Sequence, residues 1–437
     1  MSHTPTVSSL AEAIGASAEP FSQLEEADLS PFLERVGDAK IVLLGEATHG
    51  TSEFYRMRAR LTRALVEEKG YRLVCAEADW PDAEHVDDYV RHRDGKARRP
   101  REAFARFPTW MWRNTEVLHL IESLRGYNEH CEDPAAQVSF HGLDLYSLFA
   151  SIHEVMEYLE HHDPALLEEA RSRYGALLGY EPEAADYGRE VYYGTERDHS
   201  EEAIAMLSDL FRERLQSSSG ERERAFDAEQ NARVVKGAEA YYRIMFYGGR
   251  ESWNLRDSHM FATLEQLREV RGPDAKAVVW AHNSHLGDAS HTSMSRRGEF
   301  NLGQLCRDAY GDDAYLVGFG TDHGTVAAAD DWGRPVRIKE VQPSLRGSVE
   351  RLCHEHGPKR FFLPLRRLRD RLHESLLERA IGVVYRPQTE RQSHYFQTDV
   401  VRQFDEYIWF DETSAVHPLE RERAPDLPAR HPFLLGD

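Results

Sequence analysis

The feature that most constrains this chain is a series of short apolar runs set between long amphipathic stretches. Ile41-Val42-Leu43-Leu44 and Leu73-Val74-Cys75-Ala76 are apolar at every position, as is Ala277-Val278-Val279-Trp280-Ala281. A run with no polar face has to be buried on both sides, which is the condition of a strand inside a parallel sheet. Val138 to Leu143 and Tyr315 to Phe319 read the same way, with later candidates at Phe361-Phe362-Leu363 and Ile381 to Tyr385. Stretches of helical period, such as Ser52 to Glu68 and Thr115 to His130, separate the early strands. Strand–helix–strand alternation predicts an α/β fold: a mostly parallel central sheet flanked by helices.

From about residue 147 to 250 the alternation stops, and the chain is charged and helix-forming with no convincing strand. This predicts a long helical insertion, which either forms a lid over the sheet's active edge or packs as peripheral helices. A turn is expected within it from Gly175 to Glu183. The rest reads as one α/β domain over residues 1–437, ending in a proline-bearing tail over 420–437. Composition narrows the partners: 75 Asp and Glu against 54 Lys and Arg give a formal charge of −21. Such a surface repels phosphate backbones and anionic lipid, so neither nucleic acid nor membrane is expected. No apolar stretch approaches the ~20 residues of a spanning helix, and no basic-then-apolar leader opens the chain. Four widely spaced cysteines suit reduced thiols. The expected location is the cytoplasm.

Chemistry collects where strands end. In open α/β sheets ligands bind outside the carboxyl ends of the strands. Glu46 and His49 follow the first run, Glu77 and Asp79 the second, Asp144 the third, and His282 and His285 the fourth. Glu46 and His49 are bracketed by Gly45 and Gly50, which suit a sharp turn. A carboxylate beside an imidazole raises its basicity and fixes its tautomer, as a general base requires; equally, Glu46 could cap the next helix. Arg58 falls on the apolar stripe Phe54, Arg58, Leu61, Leu65, where a guanidinium needs Glu46, Glu77 or an anionic ligand unless its head snorkels to water. His282 and His285 share a turn and could bind metal or serve as acid–base and oxyanion partners. There is no Gly-x-Ser-x-Gly elbow, no phosphate loop and no His-Glu-x-x-His pair. A hydrolase built here would therefore have His or Glu activate water directly.

Taken together, Gly45-Glu46-Ala47-Thr48-His49-Gly50 resembles the Gly-Glu-x-x-His signature of the erythromycin esterase family. Arg58 and Glu77 stand where that family places its Arg and second Glu. Asn254-Leu255-Arg256-Asp257 resembles its Arg-Asp helix motif, Ala281-His282-Asn283-Ser284-His285 its late His motif, and Ser393-His394-Tyr395-Phe396 a C-terminal segment. The resemblance spans roughly residues 30 to 410. It implies hydrolysis of a macrolide lactone or related ester, with no cofactor and no required metal. His49 would be the base, oriented by Glu46, with Arg58 and Glu77 maintaining the charged network. A late His, His285 in preference to His282, would polarise the ester oxygen. Asp144, Arg256 and His394 are the expected substrate-binding residues. Two other readings use the same cluster: a metal-dependent hydrolase, and a non-catalytic protein that binds haem or another small molecule.

Overall fold

The computed structural model describes residues 9–93, 102–194 and 219–419. The apolar runs pair with one another, and β1 to β11 below are numbered in chain order. Among the described residues the main sheet contains β1 (Glu19–Pro20), β2 (Ile41–Leu44), β3 (Leu73–Asp79), β4 (Ser139–Asp144) and β5 (Ala277–Trp280). It also contains β6 (Ala314–Ala328), β7 (Arg337–Val341), β8 (Arg360–Pro364) and β11 (Glu406–Thr413), whereas β9 (Leu376–Arg379) and β10 (Tyr395–Thr398) form a separate pair. The spatial order is β1-β8-β11-β6-β2-β5-β3-β4, with β7 beside β6. From β11 through to β4 every pairing along this order is parallel; β8 and β1 are antiparallel at one margin, and β7 pairs antiparallel with the far end of β6. The predicted mostly parallel sheet is present.

Alternate residues of each central strand enter different cores. Val42, Leu44, Val74, Val278 and Trp280 pack with Phe54, Leu61 and Leu65 of α1 (Ser52–Lys69). Ile41, Leu43, Cys75, Ala277 and Val279 pack on the opposite face, with Met260, Leu264, Leu302 and Cys306. Two-sided burial explains why these runs contain no polar residue. The described residues between β4 and β5 are helical as expected and have their own core of Ile152, Val155, Tyr174, Tyr187, Val235 and Tyr241. Its last long helices are α2 (Ser219–Ile244) and α3 (Gly249–Arg271). The expected turn is shorter than predicted, because a helix continues through Gly175 to Leu178.

One further expectation needs correction. Ile381 to Tyr385 forms no strand; Ile381 and Val384 make single bridges to Thr48 and Ala329. Interrupted by Gly382, the run lies over the first strand-end turn with no neighbour to pair along its length. Conversely, β11 was not anticipated, because acidic residues at both ends mask the buried centre Tyr407 to Phe410. The tail over 420–437 lies outside the described residues.

The topology makes a crevice. From β2 the chain crosses by α1 to β3, passing over the position of β5. From β5 it crosses the opposite face to β6, on the far side of β2. Neighbouring strands whose connections leave in opposite directions open a gap at their carboxyl ends. The β2 and β5 turns meet there.

Candidate active site

At the end of β2 the turn holds a fully buried relay. His49 Nδ1 lies 2.8 Å from Glu46 Oε1, and Glu46 Oε2 accepts a hydrogen bond from Arg58 Nη2. Arg58 is completely enclosed, its guanidinium 4.4 Å from the ring centroids of both Tyr55 and Trp280. The apolar stripe of α1 thus carries an arginine because a carboxylate and two aromatic faces receive it. With the Nδ1 proton given to Glu46, the lone pair of His49 sits on Nε2. The Tyr55 hydroxyl fixes the backbone by donating to the His49 carbonyl at 2.8 Å. Gly45 and Gly50 serve close packing: a Cβ at Gly45 would lie 2.2 Å from Asn283 Oδ1, and one at Gly50 2.0 Å from the Ala327 carbonyl. Neither glycine has positive φ, so the sharp-turn rationale gives way to one of contact.

The β5 turn faces it. The His282 ring centroid lies 4.9 Å from that of His49. His282 Nδ1 accepts from the Ser284 amide at 3.2 Å, with the Ser284 hydroxyl 2.8 Å away, capping α4 (Asn283–Leu286). This places the ring proton on Nε2, which makes no full hydrogen bond among the described residues but has the Ala47 backbone beside it. Burial, reinforced by His49, holds the His282 pKa far below the usual histidine range, so the ring is neutral. Glu77, at the end of β3, accepts the His282 backbone amide at 2.9 Å. Burial pushes the Glu77 carboxyl up, but His285, Arg256 and His49 outweigh it and hold the group well below the carboxylate range.

His285 is anchored differently. Its Nδ1 is 3.0 Å from both oxygens of Asp257, and its ring stacks on Trp253 with centroids 4.4 Å apart. Its Nε2 lies 2.9 Å from Arg256 Nη1 and 3.4 Å from Glu77 Oε1. Burial lowers its pKa, yet Asp257 and Glu77 more than reverse this, and the net shift is upward. Arg256 also reaches Asp144 through Nε at 2.9 Å and Nη2 at 2.7 Å, and Glu77 through Nη2 at 2.6 Å. Trp253, Arg256 and Asp257 share one face of α3 at spacings of three and four residues.

Eight of the nine expected site residues therefore form one connected cluster: Glu46, His49, Arg58, Glu77, Asp144, Arg256, His282 and His285. His394 stands apart. Its Nε2 accepts from the Arg386 amide at 3.0 Å and its Nδ1 lies 3.3 Å from the Ala380 carbonyl, so backbone engages both ring nitrogens. It braces the 380–386 loop, whose Ile381 amide donates to the Ala47 carbonyl at 2.8 Å. Sequence reasoning missed Asp257, Trp253 and Asn283, although each lies within or beside a motif already singled out. It also missed Arg106, the partner of the strand-end Asp79, joined to it at 2.8 Å and 2.5 Å. Burial, partly offset by Arg106, raises the Asp79 carboxyl to about 6. The centre is closed, with His49 6% exposed and Glu46 not exposed at all. Among the described residues no group of three or more His, Cys, Asp or Glu side chains is arranged to hold a metal ion.

Fold and site define an α/β protein with a buried cluster of carboxylates, histidines and arginines at the carboxyl edge of its sheet. The chain belongs to the erythromycin esterase family, whose profile matches residues 66–413. Family membership points to a hydrolase. Erythromycin esterase type II of Escherichia coli is 22% identical over 371 residues, covering 78% of this chain and 84% of that one. A crystal structure of a Bacillus cereus protein shares the fold with a TM-score of 0.76 at 21% identity, over 94% of this chain and 98% of that one. A mutant of erythromycin esterase EreC, in its open conformation, shares it with a TM-score of 0.63 at 19% identity, over 94% and 99% of the two chains.

Proposed function

We propose that this protein hydrolyses an ester or lactone by direct activation of water, without a metal. The observation that carries the reading is the division of labour between facing histidines. His49, backed by Glu46 and Arg58, has its lone pair on Nε2, and neutral His282 has an Nε2–H engaged by no side chain among the described residues, with only the Ala47 backbone beside it. His49 takes a proton from water, and the resulting hydroxide attacks the acyl carbon. The carbonyl electrons move to oxygen, where the His282 Nε2–H supports the developing charge. Collapse expels the alkoxide, which recovers the proton from His49. The products are an alcohol and a carboxylic acid, or one hydroxy acid if the substrate is cyclic.

The resemblance alone favoured His285 for the polarising role, but both of its ring nitrogens lie against Asp257, Arg256 and Glu77. His285 is better suited to holding Glu77 and α3 in place. A macrolide of the erythromycin kind is the substrate class suggested by the E. coli relative's name, with Asp144 and Arg256 lining its site. The test is mass-spectrometric turnover of a macrolide and lactone panel. Wild type should add one water and His49→Ala should add none. Loss of turnover on chelation, restored by one divalent ion, would replace this reading with a metal-dependent one.

A further inference from the structure

Behind the facing turns lies a buried carboxyl that the proposed chemistry does not use. Glu378, on β9, is fully enclosed, and its Oε1 accepts from Asn283 Nδ2 at 3.1 Å. Asn283 is the wedge between the ends of β2 and β5 and an inner stretch of β6. Its backbone amide donates to the Glu46 carbonyl at 2.8 Å, and its Nδ2 donates to the Phe319 carbonyl at 2.8 Å. Its Oδ1 accepts from the Phe319 amide at 3.3 Å and fills the space a side chain at Gly45 would need. The residue before it is His282. The position of this one amide therefore sets how far Glu46 and His49 stand from His282.

We infer that Glu378 is a positioning residue of the candidate centre: through the Asn283 amide it sets the spacing between the turn carrying Glu46 and His49 and the turn carrying His282. The inference rests on the reading that these turns form the active centre. The surroundings of Glu378 suit an uncharged acid, since its contacts are the amides of Asn283 and Gln403 and its neighbour Glu350 is another carboxyl. Burial, then Glu350, pushes its pKa up to about 8. Its Oε2 makes no hydrogen bond among the described residues, and neither does Glu350 Oε2. A neutral carboxyl can be replaced by an amide without losing the acceptor that Asn283 uses.

The experiment compares Glu378→Gln with Glu378→Leu and Glu378→Met, the last included in case the leucine variant does not fold. Two readouts are taken on folded protein: histidine NMR titration of His49, and kcat and KM for any ester that the wild type turns over. Glu378→Gln should leave the His49 titration midpoint within about 0.3 pH units and kcat within about twofold. The apolar variants should move the midpoint by at least about 0.5 units and lower kcat at least about tenfold, with KM changed less than about threefold. An unchanged midpoint in a folded apolar variant would overturn the inference. So would a glutamine variant as defective as the apolar ones. The titration needs no substrate, so a wild type that hydrolyses nothing in the panel would reject the proposed function without deciding the role of Glu378.

Discussion

At the scale of single residues, the candidate centre consists of charges withdrawn from water and matched to one another. Arg58 is the sharpest case, since Glu46 is the one carboxylate it pairs with among the described residues. Removing one partner of a buried ion pair strands the other, at a cost of roughly 3–5 kcal/mol. Arg58→Met should therefore destabilise the fold by about that amount in urea denaturation, and adding Glu46→Gln should restore a large part of it. If the double variant is as unstable as the single one, Arg58 supports the structure by packing on Tyr55 and Trp280 instead. That Arg58 needs a buried partner was legible from its place on an apolar stripe. Which carboxylate it takes was not, because Glu46 and Glu77 are equally close in type and only the sheet order separates them.

At the scale of elements, α3 matters more than its sequence suggested. It brings Trp253, Arg256 and Asp257 from the end of the helical region onto the sheet edge, so His285 is held between an indole face and a carboxylate. Asp257→Asn should lower the His285 titration midpoint. The raised midpoint depends on the Asp257 charge, so that removing it shifts the imidazolium-to-imidazole step to lower pH. The same variant should reduce kcat by roughly tenfold or more, and the acidic limb of the pH–rate profile is the measurement to follow. A midpoint unchanged by the substitution would mean that Glu77 alone holds the proton. The helical period of α3 was readable, but the partner of each face was not, because it lies far off in sequence, 179 residues for Arg256 and Glu77.

At the scale of the whole molecule, burial acts on two sets of groups with opposite signs. Burial lowers His141 to about 3, and an unfolded chain with histidines near 6.5 takes up protons that the native form refuses. The stability contributed by neutral His141 is present above pH 6.5 and is lost as pH falls below it. Glu378 behaves in reverse: its native proton persists to about 8 whereas an unfolded glutamate loses it near 4.5, so stability is lost as pH rises between those values. Relative to wild type, His141→Gln should gain stability on going from pH 7 to pH 4, and Glu378→Gln on going from pH 5 to pH 8. Each gain should be on the order of 1–3 kcal/mol. Urea midpoints across that range decide it, and parallel pH profiles for the two variants would refute the assignment.

The sequence by itself determined the central strands β2, β3 and β5, the acids and histidines at their carboxyl ends, and the family. Runs apolar at every position can only be buried on both faces, and that burial forces polar residues out to the strand ends. Tertiary structure alone decided that His282 keeps its Nε2–H clear of side-chain partners among the described residues while His285 is bound on both nitrogens. It also decided that β11 enters the sheet, that Ile381 to Tyr385 does not, and that His394 braces a loop. In each case the outcome depends on partners distant in the chain. A strand or an imidazole is defined by what it pairs with, and local sequence does not carry that information.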